Sequence, residues 1–337
     1  MRLLTYQDTE RPRARLGVLT GGRQDIVLDL AAAHDLYAAA GAASEEMSRI
    51  YASGDMVLLL AAGEKALAQV RQLLSRVESL LQETSQCSDL MRRGVLLRVD
   101  AIRFFPVVPR PGKIVCVGLN FQSHIDEALA AGQKLPHEVD VPGAFNKVAT
   151  ALVGHGGNII YPERGGQLDY EIELAMVIGR RCKGVRARDY KQYVAGFTIS
   201  VDLSLRDVLF RSPNPFEAKN YDTFCPLGPA LVTPDELDDP DSLMLQLWVN
   251  DELRQEESMA NALFSCGEVL AYWSERMTFE PGDVILMGTP AGVGIFSEQP
   301  DRMLLKPGDR ITAQIGELGR LNNEVAAAGH DSTITKE

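Results

Sequence analysis

The chain has 337 residues, of which 45% are hydrophobic and 24% are charged, and both fractions are typical of a globular protein. It contains 34 Lys and Arg against 46 Asp and Glu, and the formal net charge of −12 makes nucleic acid and anionic lipid poor general partners. The five cysteines include no CxxC pair, so neither a disulfide framework nor a cysteine zinc site is expected.

Targeting and membrane signals are not found in the sequence. No apolar run approaches the length of a membrane-spanning helix, and the N-terminus lacks the long apolar stretch of a signal peptide. We therefore expect a soluble, cytoplasmic protein that binds neither membrane nor nucleic acid. An anionic substrate would have to be attracted locally, by a metal ion or by a few basic residues.

The first hundred residues predict a small α/β unit. Short strands are expected at 2–6, 15–19 and 26–30. Gly21 and Gly22 predict a hairpin turn between the last two of these strands. Apolar residues recur at helical spacing in 31–52 and 55–84, which predicts helices there, and a further strand is expected at 94–102.

A boundary is predicted at 106–113, where the sequence PVVPRPGK holds three prolines and a glycine. It divides the chain into a small N-terminal domain at 1–105, a catalytic domain at 106–325 and a tail at 326–337. We expect the N-terminal domain to contribute no catalytic group.

The catalytic domain has a different texture, because short apolar strands separated by Pro-Gly and Gly-rich turns dominate it. The strands are predicted at 113–119, 171–179, 195–203, 243–251 and 283–288. One helix is predicted at about 259–276, capped by Ser258 or Asn261. The chain as a whole is therefore expected to be α+β and mostly β, with a β-sandwich or rolled sheet rather than a doubly wound sheet.

Three carboxylates mark a candidate metal site. Glu171 and Glu173 alternate along one strand, so their side chains point to the same face. Two such carboxylates repel each other unless a cation lies between them. Asp202 lies at the end of the next predicted apolar strand, 195–203, and the three oxygen ligands suit Mg²⁺ or Mn²⁺.

Five ordered blocks over roughly residues 112–324 resemble the fumarylacetoacetate hydrolase family. They are KIVCVGLNFQSHIDE, DYEIELAMVIGR, VDLSLRDV, AKNYDTFCPLGP and FEPGDVILMGTPAGVG. The family shares a Glu-x-Glu followed about thirty residues later by Asp, and here 29 positions separate Glu173 from Asp202. The resemblance implies a mixed β-sandwich roll in the catalytic domain and a homodimer.

The resemblance also implies roles for single residues. Glu171, Glu173 and Asp202 would be the metal ligands, with Mg²⁺ or Mn²⁺ as the cofactor and Ca²⁺ as a substitute in crystals. Substrate binding would involve Arg206, Lys147 at the pocket edge, and Thr289, whose backbone and hydroxyl would face the substrate carboxylate. Lys219 would neutralise charge that develops on a substrate oxygen. The family hydrolases often carry Gln where this chain has Leu209, which weakens the case for fumarylacetoacetate itself.

A second constellation is formed by His124 and Glu127. Residues three apart share a helix face, and a glutamate can orient a histidine and raise its basicity, which makes a general base. The pair resembles the lid that folds over bound ligand in the family's hydrolases and decarboxylases. The polar, Pro- and Gly-rich stretch that follows it is typical of a closing segment.

These residues predict a metal-dependent hydrolase that acts on a small 2-oxo acid. A 2,4-dioxo acid of the acylpyruvate type would chelate the metal, His124 would activate water, and the products would be pyruvate and a carboxylic acid. The alternatives are a lyase such as an oxaloacetate decarboxylase, or a hydratase or isomerase of unsaturated 2-oxo diacids. A non-catalytic binding protein is disfavoured because the site residues are all present. The sequence has no GxSxG and no GxGxxG, which argues against serine hydrolysis and dinucleotide binding.

Overall fold

The structure is a computed structural model that describes residues 1–8, 11–20, 23–38, 44–80, 84–135, 138–164, 166–212 and 214–329. Its helices are α1 (Leu30–Ala38), α2 (Glu45–Ser53), α3 (Met56–Ala61), α4 (Gly63–Leu80), α5 (Thr84–Arg92), α6 (Gln122–Ala130), α7 (Arg206–Leu209), α8 (Phe216–Lys219), α9 (Cys266–Arg276) and α10 (Pro300–Met303). Its first strands are β1 (Arg2–Asp8), β2 (Arg11–Thr20), β3 (Arg23–Asp29), β4 (Leu96–Arg98), β5 (Ile102–Phe104), β6 (Ile114–Val117), β7 (Ala144–Lys147), β8 (Leu152–Val153), β9 (Asn158–Ile160) and β10 (Leu168–Asp169). The remaining strands are β11 (Ile172–Ile178), β12 (Val194–Val201), β13 (Ser204–Leu205), β14 (Cys225–Val232), β15 (Met244–Val249), β16 (Glu252–Ser258), β17 (Val284–Leu286), β18 (Arg310–Ile315) and β19 (Arg320–Ala326).

Two large sheets carry the fold. Within the described ranges, the larger sheet has 12 strands in the order β4-β3-β2-β1-β14-β12-β11-β17-β6-β7, with β5 paired to β1 and β8 paired to β14. The second sheet has five strands in the order β16-β15-β18-β19-β9. The N-terminal strands extend the larger sheet because β1 pairs with β14, where Leu3 lies opposite Leu231.

The strand β11 is buried on both faces because a different core covers each face. Its residues alternate in direction, as strand geometry requires. Leu174 and Met176 pack into a core shared with the five-stranded sheet and α9. Ala175 and Val177 pack into a second core shared with α1–α4. Burial on both sides explains why β11 is a nearly continuous apolar run rather than an alternating one.

The N-terminal helices differ in detail from the prediction. The expected helix at 55–84 is interrupted between α3 and α4, where Gly63 has a φ of +71°. The amphipathic spacing is confirmed in α4, whose buried residues include Val70, Leu73 and Val77. The strands expected at 2–6, 15–19 and 26–30 lie within β1, β2 and β3, apart from residue 30, which begins α1. The predicted turn at Gly21 and Gly22 lies outside the described residues.

Two further elements are corrected. The strand predicted at 94–102 is split into β4 and β5 by a 3₁₀ turn at Val99–Ala101. The helix predicted at 259–276 begins at Cys266, because Ser265 and Glu268 form a capping box there. Ser258 instead caps the short 3₁₀ turn Met259–Asn261.

The α+β, mostly β fold class with mixed sheets is confirmed by this architecture and by its structural neighbours described below. The division into 1–105, 106–325 and 326–337 stays a prediction. Among the described residues, no helix is both long and apolar enough to cross a bilayer.

Candidate metal centre and active site

Three carboxylates meet where β11 begins and β12 ends. Glu171 and Glu173 flank the first residue of β11, and Asp202 directly follows β12. The Asp202 backbone N–H donates to the Glu171 carbonyl oxygen at 2.8 Å, which brings the two strand ends together. One ligand oxygen from each carboxylate lies within 4.8 Å of the others. The exposed fractions of Glu171, Glu173 and Asp202 are 5%, 2% and 0%.

Cationic side chains surround two of these carboxylates. The Lys219 Nζ lies 2.6 Å from Glu171 Oε2 and 2.8 Å from Asp202 Oδ2. The Lys147 Nζ lies 2.5 Å from Asp202 Oδ1, and Arg206 Nη2 lies 2.7 Å from Glu171 Oε1. Within the described residues Glu173 has no cationic partner, and its Oε2 accepts only the Gly288 backbone N–H, at 2.6 Å.

This arrangement gives the two glutamates opposite pKa shifts. Burial favours the neutral form of Glu171, but the positive charges of Lys219 and Arg206 outweigh it and lower the pKa to about 2. Burial and the negative charges of Asp202 and Glu171 raise the pKa of Glu173 well above its usual range. The positive charge of Lys219 acts on Glu173 as well, but it does not offset this rise in pKa.

The donor set fits a hard divalent cation. Three carboxylate oxygens within reach of one another are ligands that Mg²⁺ and Mn²⁺ prefer, and Ca²⁺ accepts the same donors. The Lys219 ammonium already lies between Glu171 and Asp202, which shows that the cluster attracts positive charge. A cation beside Glu173 would relieve the repulsion that raises its pKa.

A cavity of about 450 Å³ opens beside this centre. Its lining includes six of the residues that the sequence singled out: His124, Glu171, Glu173, Arg206, Lys219 and Thr289. The other three, Glu127, Lys147 and Asp202, lie behind that lining and hold its members in place. The structure thus brings all nine predicted site residues to one region.

The helix α6 carries the predicted dyad. His124 Nδ1 lies 2.8 Å from Glu127 Oε1, and Glu127 Oε2 accepts the Gly292 backbone N–H at 2.8 Å. His124 is buried, with an exposed fraction of 9%. Its Nε2 has no hydrogen-bond partner in the part of the chain that the structure describes. Residues 136 and 137 of the predicted closing segment lie outside that part.

The loop at 288–295 connects these parts of the site through its backbone N–H groups. Gly288 donates to Glu173 and Gly292 donates to Glu127, as described above. Gly294 and Ile295 donate to the two oxygens of Asp169, at 2.7 and 3.1 Å. Gly288 and Gly292 have φ angles of +86° and +102°, a region that glycine adopts without strain.

Two residues that the sequence analysis missed complete the centre. Asp169 is fully buried and accepts a hydrogen bond from Arg206 Nε at 2.8 Å, which fixes the guanidinium. Gln255 accepts the Ile172 backbone N–H at 3.0 Å and donates to the Thr289 hydroxyl and the Pro290 carbonyl, both at 2.9 Å. Asp169 continues the two-residue period of Glu171 and Glu173 and could have been found from it. Gln255 lies 83 positions from Ile172, and no local pattern marks it.

Comparison with known proteins identifies the family. Residues 113–326 match the model described as the fumarylacetoacetate (FAA) hydrolase C-terminal domain. The chain therefore belongs to the fumarylacetoacetate hydrolase family, and the resemblance noted in the sequence is confirmed.

One curated relative and two solved structures show what this chain is similar to. The mitochondrial oxaloacetate tautomerase FAHD2B of Bos taurus is 39% identical over 272 residues, which cover 80% of this chain and 79% of the relative. The maleylpyruvate hydrolase from Sphingobium sp. SYK-6, in complex with manganese(II) and pyruvate, is 29% identical with a TM-score of 0.67, covering 97% of this chain and 99% of that chain. The 2-hydroxyhepta-2,4-diene-1,7-dioate isomerase from Mycobacterium marinum is 26% identical with a TM-score of 0.67, covering 98% and 99%.

Proposed function

We propose that this enzyme catalyses the keto–enol tautomerisation of oxaloacetate with the help of a divalent cation. The observation that carries the proposal is that the carboxylate cluster and the His124–Glu127 dyad adjoin the same cavity. The Bos taurus relative is named as an oxaloacetate tautomerase. That name supports chemistry on oxaloacetate, the alternative in our sequence analysis, more than it supports hydrolysis of a 2,4-dioxo acid.

Substrate binding takes place beside the carboxylate cluster. Glu171, Glu173 and Asp202 would hold Mg²⁺ or Mn²⁺, and the cation would supply Lewis acidity at the 2-oxo group of the substrate. Arg206 and Thr289 line the same cavity and bind the substrate carboxylates. The side chain of Lys147 is fully buried, and its ion pair with Asp202 keeps that carboxylate in position.

His124 serves as the base that moves the proton. Glu127 accepts a hydrogen bond from Nδ1–H, which makes Nε2 the basic nitrogen of the neutral ring. Nε2 takes a proton from C3 of oxaloacetate, and the C3–H electrons form the C2–C3 double bond. The C2 oxygen takes a proton from solvent, and the His124 imidazolium releases its own proton to solvent, so the ring ends neutral. The reaction is an isomerisation and consumes no water.

Lys219 stabilises the charge that develops on the C2 oxygen. Burial disfavours its ammonium form, but the negative charges of Asp202 and Glu171 raise its pKa, so that Lys219 stays protonated. It lines the cavity and can donate a hydrogen bond to the developing oxyanion.

A second candidate is C–C bond cleavage at the same site. The Sphingobium neighbour is named as a maleylpyruvate hydrolase, which supports hydrolysis of a 2,4-dioxo acid with His124 activating water. Decarboxylation of oxaloacetate is the third use of the same residues, and its bond-breaking step needs no base.

The homodimer remains part of the proposal. The cytoplasmic location stays a prediction, and the Bos taurus relative is named as mitochondrial.

The test is a panel of oxaloacetate and 2,4-dioxo acids, assayed with Mg²⁺ or Mn²⁺ and scored separately for enol, CO₂ and carboxylic acid. We expect enol formation from oxaloacetate to dominate and to disappear after EDTA treatment. Full activity in metal-free protein would contradict the metal-dependent mechanism. Release of carboxylic acid from a dioxo acid, with no effect on the oxaloacetate enol, would favour the hydrolase instead.

A further inference from the structure

Part of the cavity lining is apolar. Among the described residues, this apolar wall is formed by Leu135, Phe145, Leu209, Phe210, Pro215 and Phe296. We infer that the site also enolises 2-oxo acids that carry an aromatic ring on C3, the arylpyruvates, with the ring packed against this apolar wall. The inference rests on the proposed function, because it uses the same base and the same carboxylate cluster.

The size of the cavity supports a larger substrate than oxaloacetate. Cavities of about 300–1,000 Å³ typically hold ligands of drug size, and this cavity measures about 450 Å³. A second cavity of about 870 Å³ adjoins it, and both are lined by Leu119, Phe145 and Pro215. Oxaloacetate, a four-carbon acid, would leave the apolar wall uncovered when it is bound beside the carboxylate cluster of the protein.

The distribution of charge decides what kind of group suits that wall. Among the described lining residues of the two cavities, the Lys and Arg side chains are Arg206 and Lys219, and both are paired with Glu171. The short oxaloacetate molecule can keep both of its carboxylates close to them. A carboxylate on a longer chain would leave them and approach Glu138 and Asp140, which line the second cavity. An uncharged ring meets no such repulsion and gains burial.

The chemistry needs no new group. His124 takes a proton from C3 and later releases it to solvent, the C3–H electrons form the C2–C3 double bond, and the C2 oxygen takes a proton from solvent, so no atom or electron is lost. The ring on C3 conjugates with the new double bond, which makes the C3 proton easier to remove. Leu209, the last residue of α7, and Phe210, which follows it, set the preference for the ring because both line the cavity.

The experiment follows exchange of the C3 protons in D₂O by NMR, for phenylpyruvate and for oxaloacetate, with the full Mn²⁺- or Mg²⁺-loaded chain. We expect wild-type enzyme to accelerate both exchanges above the solvent rate. In Leu209→Gln, the ratio of kcat/KM for phenylpyruvate to that for oxaloacetate should fall about 10- to 100-fold. Phe210→Gln is a second variant with the same expected direction, at a side chain that is 48% exposed and tolerates change. Leu58→Gln, an exposed leucine on α3, is the matched control and should leave the ratio unchanged.

The outcomes separate this inference from the proposed function. Catalysed exchange of oxaloacetate without catalysed exchange of phenylpyruvate would overturn the inference and leave the proposed function intact. Catalysed exchange of phenylpyruvate alone would support the inference and contradict the oxaloacetate assignment. If the enzyme catalyses exchange of both acids, and neither Leu209→Gln nor Phe210→Gln changes the ratio of the two kcat/KM values, the proposed role of the apolar wall is wrong.

Discussion

The carboxylate cluster and the apolar wall of the active-site cavity are built from different kinds of structure. The carboxylates lie at the ends of β11 and β12, which are in the middle of the 12-stranded sheet and are packed from both sides. The apolar wall comes mainly from α7 and from connecting segments, together with Phe145 of β7, and Phe210 there is 48% exposed. In the carboxylate cluster the polar groups are fixed by a network of hydrogen bonds, whereas the apolar wall mainly provides nonpolar contact area for a substrate.

This difference assigns chemistry and selectivity to separate parts of the molecule. A site placed on packed strands keeps its geometry when loops change. Substitutions in the carboxylate cluster should therefore affect the rate of the reaction itself, and substitutions in the apolar wall should affect which substrate is preferred. Each of the following predictions tests one part of that separation.

The largest effect is expected at Glu173. Glu173→Ala removes a metal ligand, and its cost should exceed the roughly 10–100-fold loss of metal affinity or activity that outer-shell partners typically cause. The fold should survive, because burial and the charges of Asp202 and Glu171 already disfavour an ionised Glu173. Metal titration and thermal unfolding of the metal-free protein measure the two effects.

Its matched control is Glu46→Ala, which removes an exposed glutamate from α2. Glu46→Ala should keep wild-type metal affinity. Wild-type metal affinity and activity in Glu173→Ala would show that the carboxylate cluster is not the metal site.

The next largest effect is expected at His124. Loss of a positioned base typically costs about 10²–10⁴ in rate, so His124→Ala should lose tautomerase activity by that factor and keep its metal. Decarboxylation of oxaloacetate should fall less, because its bond-breaking step needs no base. Enol and CO₂ are measured separately in wild type, His124→Ala and Glu127→Ala.

The matched control for the dyad is His155→Ala, because His155 accepts a hydrogen bond from the Asn322 backbone outside the cavity. Equal and minor losses of both activities in His124→Ala would reduce the dyad to a structural part of α6.

A smaller effect is expected from pH. The pKa of Glu173 is raised well above its usual range, whereas that of Glu171 is lowered to about 2, so Glu173 is the ligand that protons compete for. Metal binding requires its carboxylate form and releases one proton, so affinity should fall about tenfold per pH unit as pH drops below that pKa. Calorimetry in buffers of different ionisation enthalpy counts the proton. Metal binding that releases no proton would contradict the raised pKa of Glu173.

The smallest effect is expected at Gln255. Gln255→Leu leaves the Ile172 backbone N–H buried without its acceptor, which should cost about 1–3 kcal/mol in the free energy of unfolding. Gln246→Leu on the neighbouring strand β15 is the control, because the bond of Gln246 to Glu256 is exposed. Denaturant unfolding compares the two variants. An equal, negligible loss in both would show that Gln255 does not support the centre.

The metal ligands could be predicted from the sequence because their signal is local. The two-residue period brings Glu171 and Glu173 to one face, and an apolar strand carries Asp202 to the same edge. The spacing of Val70, Leu73 and Val77 likewise identified α4. Glu171 and Glu173 are close in the sequence, as are the residues of α4, whereas Asp202 was predicted from its place at the end of an apolar strand and from the family resemblance.

Two of the features that were missed depend on contacts between distant residues. The pairing of β1 with β14 joins Leu3 to Leu231, and no local pattern contains that information. The contact of Gln255 with the start of β11 is of the same kind. The helix α9 was predicted to begin too early because Ser258 and Asn261 are plausible caps, and the capping box at Ser265 decided the matter.

The loop at 288–295 has a consequence for how the site tolerates mutation. Its main-chain amides serve Glu173, Glu127 and Asp169, and an amide is supplied by every residue except proline. A Cβ at Gly288 would lie 2.8 Å from Asn120 Cβ, and one at Gly292 would lie 2.2 Å from the Arg254 carbonyl oxygen. Substitution is therefore barred at these two glycines, whereas Ala291 can change its side chain without disconnecting any of the three carboxylates.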